Sequence, residues 1–256
     1  MVIPYEKIKK MEYILVDIGN VIFHDYPVDL AFSRLVYDQL QPYKEISMSE
    51  FLSIRKKMIL SGNMFWHEEI GHQVCGTDWI NVRDRHWSET LRRLKELTVP
   101  IDGAIETIQR ISCVKPIVIA ANQPIEAMET IKSFGLTRYC KDIVLDSMIG
   151  YTKPEPEFYK NIINRLNVRP DQLLMIGDRY ENDIEPAAEL GIKTAWVRFK
   201  PQRKIVEGID PEWAEMFFSG YCEIGNYNYA EHTRPADELK ADYEADSLQD
   251  LFKSLQ

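Results

Sequence analysis

The sequence predicts an α/β fold built on a parallel sheet, with a mainly helical segment inserted after the first strand. Three observations carry that prediction. Apolar β-type runs alternate with helical patterns through most of the chain, two short acidic segments far apart each close a strand-like run, and the stretch 24–97 interrupts the alternation with helical patterns alone.

Taken in order, the strand candidates are residues 13–17, 116–121, 143–145, 173–176 and 194–197. Helices are predicted over 101–111, 124–134, 155–166 and 181–190, with Gly135 and Gly191 just past two of them as stopping residues. Strand, helix, strand in succession implies right-handed crossovers and parallel pairing. The insert carries amphipathic patterns over 30–40, 49–60 and 82–97 with no convincing strand between them, and reads as a helical cap. The core is therefore expected to be discontinuous, residues 1–23 and 98–256, around a cap of 24–97. Within it, residues 200–239, rich in Pro, Tyr and acidic groups, read as an irregular insert before a short closing helix over 248–255.

With 256 residues, 45% of them hydrophobic, the chain can bury a full core as one large domain or a core plus a smaller insert. A formal charge of -9 disfavours nucleic acid as a partner, because counterion displacement needs a basic surface; small metabolites suit it better. The first ten residues lack the apolar stretch of a secretory signal and no later segment suits a bilayer, so no membrane association and a cytoplasmic location are expected. Cys75, Cys113, Cys140 and Cys222 form no CxxC pair, and reduced, packing thiols are the expectation.

The acidic segments are Tyr13-Ile14-Leu15-Val16-Asp17-Ile18-Gly19-Asn20 and Leu173-Leu174-Met175-Ile176-Gly177-Asp178-Arg179-Tyr180-Glu181-Asn182-Asp183. Carboxylates at the carboxyl ends of parallel strands converge on one crevice. Crowded together they repel one another unless a cation sits among them, and a hard divalent metal such as Mg²⁺ is the usual solution. A metal-dependent phosphoryl site is the leading idea.

Asp17 after an apolar strand, Gly150-Tyr151-Thr152-Lys153-Pro154-Glu155-Pro156, and Gly177-Asp178 with Asp183 resemble motifs I, III and IV of the haloacid dehalogenase-like hydrolase superfamily. Their order, their spacing and the helical insert after motif I are similar to members carrying a helical type 1 cap. The resemblance implies a Rossmann-like core with helices on both faces of the sheet, bound Mg²⁺, and an aspartate that attacks phosphorus to form an aspartyl-phosphate.

On that resemblance Asp17 is the nucleophile, a weak one made effective by positioning in line with a phosphorus whose oxygens are neutralised; the alternative is a strand-end aspartate capping a turn. Lys153 would set its ammonium against the nucleophile and phosphoryl oxygens. Asp178 should ligate Mg²⁺ and Asp183 complete or orient that shell, although Asp183 also suits a first-turn acid favoured by the helix dipole. Two departures stand out. The second aspartate of motif I is Gly19, which removes a side-chain proton shuttle while leaving a backbone carbonyl able to hold the metal. The Ser or Thr that ends motif II is Ala121, so Asn122, its backbone N–H, or Gln123 would substitute as phosphate-binding donors unless they satisfy a turn. Asn20, within the Asp-x-Gly-Asn-Val run, joins the phosphate-binding candidates. His24 is the candidate replacement shuttle, with a hinge residue as its other reading.

In the cap, His67, His72, Cys75 and His86 match no closed zinc site in spacing, and the polar and aromatic run 65–75 is expected to supply substrate contacts. The late region holds Trp213, Phe217, Phe218, Tyr221, Tyr227 and Tyr229; a homodimer surface or a lid is open, with packing of a long loop on its own core preferred. The expected activity is Mg²⁺-dependent phosphohydrolysis of a small phosphorylated metabolite, slowed by the losses at Gly19 and Ala121. A phosphotransferase, or a degenerate member that binds a phosphorylated ligand or protein partner, remains the alternative.

Overall fold

Parallel strands covered on both faces are apolar along their whole length rather than alternating, and the central strands here are of that kind. In the computed structural model, which describes residues 2–61, 63, 65–231 and 241–255, side chains excepted at 86 and 225–231, Ile-Val-Ile-Ala-Ala and Leu-Leu-Met-Ile-Gly are buried at every position. The strands are β1 (Tyr13–Val16), β2 (Phe23–His24), β3 (Val99–Pro100), β4 (Ile117–Ala121), β5 (Cys140–Leu145), β6 (Leu173–Gly177), β7 (Lys193–Val197) and β8 (Tyr243–Ala245). Six form one sheet in the order β5-β4-β1-β6-β7-β8 with every adjacent pair parallel, and β2 and β3 make a separate antiparallel ribbon. Leaving the ribbon aside, the sheet runs third, second, first, fourth, fifth, sixth in chain order, the Rossmann arrangement. Its direction of winding reverses between β1 and β6, which puts the switch-point crevice beyond Val16 and Gly177.

The chain divides into two compact units: an α/β unit of Met1–His24, Val99–Lys200 and Arg234–Gln256, and a helical unit of Asp25–Thr98 and Pro201–Thr233. Around the α/β sheet, Ala104, Thr107, Ile108 and Ile111 form the buried stripe of the Ala104–Ser112 helix at i, i+3, i+4 and i+7. The Pro156–Leu166 helix opens on a proline, whose missing N–H costs nothing there, and closes at Asn167 in the left-handed region. Gly135 and Gly191, with φ of 71° and 83°, end their helices as expected.

The helical unit comprises Tyr26–Leu40, Met48–Leu60, Trp66–Cys75, Trp79–Leu97 and Pro211–Glu231, around a core that includes Tyr26, Leu30, Phe51, Trp66, Trp79, Trp213 and Phe217. This corrects the reading of 200–239 as an irregular insert in the α/β core. Residues 201–233 cluster with the helical unit, and Trp213, Phe217 and Tyr221 recur at helical spacing behind Pro211, which starts the helix rather than breaking it. Tyr227 lies in that helix, and its side chain and that of Tyr229 are outside the described ones. The short strands β2, β3 and β8 were not anticipated: two or three residues are too few to show periodicity. The expected 181–190 helix instead begins as a π-helical turn, Tyr180–Ile184, before Glu185–Glu189. Among the described residues no helix is long and apolar enough to cross a membrane, and the four cysteines are unbonded.

Candidate active site

β1 delivers Asp17 to the switch point. Its backbone N–H continues the ladder to Ile176 O at 2.9 Å, so the carboxylate is fixed by the sheet itself, and it is 8% exposed. β6 delivers Asp178 one residue past its end, and the π-helical turn brings Asp183 back against the strand. That return requires Gly177: a Cβ there would lie 2.2 Å from Asp183 Cγ. One carboxylate oxygen from each of Asp17, Asp178 and Asp183 falls within 4.8 Å of the others, and among the described residues this is the one group of His, Cys, Asp or Glu side chains so arranged.

Lys153 enters from the loop between β5 and the Pro156–Leu166 helix. Its ammonium donates to Asp17 Oδ1 at 2.8 Å, Asp183 Oδ1 at 2.5 Å and the Ala120 carbonyl at 3.1 Å, which uses all three of its donors. Burial disfavours the ammonium, but Asp17 and Asp183 outweigh it and hold the lysine above its ordinary pKa. Asp183 is 1% exposed, and burial raises it; Lys153 offsets part of that rise, the charge of Asp17 adds to it, and the result is about 6. Its Oδ2 accepts from Arg179 N at 3.0 Å. Arg179 itself is held above its usual value by Glu181, Asp178 and Asp183 against the cost of burial.

The strand-end amides serve the loops. Asn122 Oδ1 accepts from Lys153 N and Asn122 Nδ2 donates to Lys153 O, both at 2.8 Å, so this side chain grips the lysine's own backbone. Gln123 N donates to Asp146 Oδ1 at 2.8 Å, and Gln123 O accepts from Ser147 Oγ at 2.7 Å. Asn20, at φ 49°, donates from Nδ2 to Asp178 Oδ2 at 3.0 Å. Gly19 is buried beside Asp17 and bridges to Phe23. His24 is 2% exposed in β2, paired with Val99, its ring edge-on to Phe199 at 5.8 Å. That setting suits packing between strands better than proton exchange. In the helical unit, Trp79 Nε1 donates to Glu68 at 2.9 Å and His67 Nδ1 lies 3.6 Å from the same carboxylate, so the polar run there is joined internally.

Sequence reasoning gathered Asp17, Lys153, Asp178 and Asp183, named Gly177 within motif IV without a role of its own, and missed the Ala120 carbonyl, Tyr159 and Trp196. Only Gly177 carried a readable signal, a glycine closing an otherwise fully apolar strand directly before an acid.

Residues 20–197 match the family model of haloacid dehalogenase-like hydrolases. Glyceraldehyde 3-phosphate phosphatase of Pyrococcus furiosus is 30% identical over 185 residues, 71% of this chain and 70% of that protein. Pyrimidine 5'-nucleotidase YjjG of Escherichia coli is 27% identical over 197 residues, covering 75% and 82%. The crystal structure of a HAD phosphatase from Thermococcus onnurineus superposes with a TM-score of 0.63 at 22% identity over 96% of this chain and 98% of that one. A Bacillus subtilis protein, YfnB, solved with magnesium bound, gives 0.62 at 19% identity over 96% and 99%. A match running from the end of the first acidic segment through β7, more than half of the sequence, means that the chain belongs to the haloacid dehalogenase-like hydrolases.

Proposed function

We propose that the protein is a Mg²⁺-dependent phosphohydrolase of a small phosphorylated metabolite that works through a phosphorylated Asp17. The observation that carries this reading is the convergence of Asp17, Asp178 and Asp183 on one point, with Lys153 bonded to two of the three. Three carboxylates supply hard oxygen donors to a small volume, and burial with mutual repulsion raises Asp183, the state a divalent cation relieves; the donor set suits Mg²⁺. Asp17, Asp178 and Asp183 would hold it, with the Gly19 carbonyl as a further donor, and bound there it would neutralise the charge of the carboxylates and of a phosphoryl group.

The Asp17 carboxylate attacks phosphorus, a P–O bond to Asp17 forms, and the P–O bond to the substrate alcohol breaks, the alcohol oxygen taking a proton. Water then attacks the same phosphorus and restores Asp17, releasing phosphate. Lys153, fixed by Asn122 through its backbone, orients the nucleophile and offers positive charge to the transferring oxygens. Asn20 orients Asp178. With Gly19 in place of an acid, no side chain at that position moves the proton, and turnover is expected to be slow, since such catalysis ordinarily contributes about a hundred- to ten-thousand-fold.

The test is phosphate release from a panel of triose phosphates, phosphoglycolate, sugar phosphates and nucleoside 5'-monophosphates, the substrates that the relatives' names suggest, with and without Mg²⁺. Release that requires Mg²⁺ and drops by about a thousandfold or more in Asp17→Asn is expected. Equal release from the folded Asn variant would overturn the reading. Substrate consumed without phosphate release would point to transfer onto an acceptor hydroxyl.

A further inference from the structure

Tyr159 is a phenol in a place that a phenylalanine would fill. It is wholly buried in the Pro156–Leu166 helix, in a cluster with Leu15, Val118, Phe158, Ile162 and Met175. A hydroxyl in such a core is costly unless it is bonded. Its Oη donates to Asn182 O at 2.6 Å and lies 3.4 Å from Asp183 O, both in the π-helical turn that carries Asp183. Two residues before that turn, Trp196 of β7 donates from Nε1 to Asp178 O at 2.8 Å, and its ring meets Tyr180, the turn's first residue, edge-on at 5.2 Å. Burial, with the charges of Asp183 and Asp17, raises the Tyr159 phenol well above its ordinary pKa, so it stays a donor.

We propose that Tyr159 and Trp196 are positioning residues for the cation site: two rigid ring donors grip the main-chain carbonyls at both ends of 178–183 and so fix the separation of the Asp178 and Asp183 carboxylates. This rests on those carboxylates holding the cation. A π-helical turn lacks the regular α-helical hydrogen-bond register, and a buried turn has no water to satisfy the carbonyls that register leaves over. The hydrogen bonds of both rings go to main-chain carbonyls, so both act through the backbone. Mg²⁺ demands near-ideal octahedral geometry whereas Ca²⁺ accepts a looser and larger shell, so a loosened turn should lose discrimination between the two.

Calorimetric titration of the metal-free full chain with MgCl₂ and CaCl₂, well below its melting temperature, tests this in the wild type, Tyr159→Phe, Trp196→Phe and Asp178→Asn. The expected result is Mg²⁺ binding about tenfold weaker in each ring variant, Ca²⁺ binding much less affected, and a melting temperature in chelator within a few degrees of wild type. Unchanged Mg²⁺ affinity in both ring variants would overturn the proposal. So would a parallel loss for both cations with a lowered melting temperature, the mark of a merely structural role. If the wild type bound no Mg²⁺, or Asp178→Asn bound it equally well, the cation site itself would have failed rather than its clamp.

Discussion

Asp183 is an acid that titrates close to neutrality, because burial and the facing Asp17 hold it at about 6 against 3.8 in an unfolded chain. The folded protein therefore takes up this proton more readily than the unfolded one. Its contribution to stability is fully present below about pH 4 and is lost as pH rises through 6, so the metal-free protein is expected to become easier to unfold across that window. Cation binding needs the carboxylate, and Mg²⁺ affinity is expected to fall by about tenfold per pH unit below 6. Urea unfolding in chelator and calorimetric titration between pH 4 and 8 check the two opposed trends; a pH-independent Mg²⁺ affinity would contradict them. At this scale the strand ends pointed to Asp17 and Asp178 directly, whereas Lys153 and Asp183 stood out only through the resemblance to motifs III and IV, since a lysine before proline or an acid in a first turn is ordinary by itself. The sequence offered Asn122 as a phosphate donor or a turn residue, because an amide suits a phosphate or a backbone equally well; only the loop's fold shows that it holds Lys153.

Among the elements, the helical unit is joined at one buried cation. Arg55, 3% exposed on the Met48–Leu60 helix, donates to Asp29 of the Tyr26–Leu40 helix at 2.5 Å, and its guanidinium carbon lies 5.1 Å from the Trp66 ring centroid and 4.8 Å from that of Phe217. Four helices meet through this one side chain. Asp29→Ala would leave the guanidinium buried without its counter-charge and is expected to cost about 3–5 kcal/mol; Arg55→Met, which leaves Asp29 partly in water, should cost less. Urea denaturation of both variants decides it, and equal small losses would show that the rings alone sustain the arginine. Phe217 also shows why the late helix was hard to read. Its spacing with Trp213 and Tyr221 is helical, but prolines at 201 and 211 and the run of tyrosines look like loop composition until the partner helices are known.

Across the whole molecule, the alternation of apolar runs and helices was enough to expect the parallel sheet and the strands that carry the acids. The two-residue ribbon strands and β8 owe their existence to pairing partners far along the chain and left no local pattern. The α/β unit and the helical unit have separate cores, and the acidic cluster lies entirely in the first. Scanning calorimetry is therefore expected to show two transitions, of which only one rises with Mg²⁺, by about 3 kcal/mol of stabilisation at a hundred times the dissociation constant. A single transition moving as one would mean that the units unfold together.

The return of the chain at Pro201 to complete the helical unit has a consequence during synthesis. Four helices leave the ribosome early with Tyr26, Phe51, Trp66 and Trp79 of their core, while Trp213 and Phe217 emerge about a hundred residues later. Until then the nascent chain carries an open apolar seam through the making of β4, β5, β6 and β7, and it is in that interval that a chaperone would find its footing.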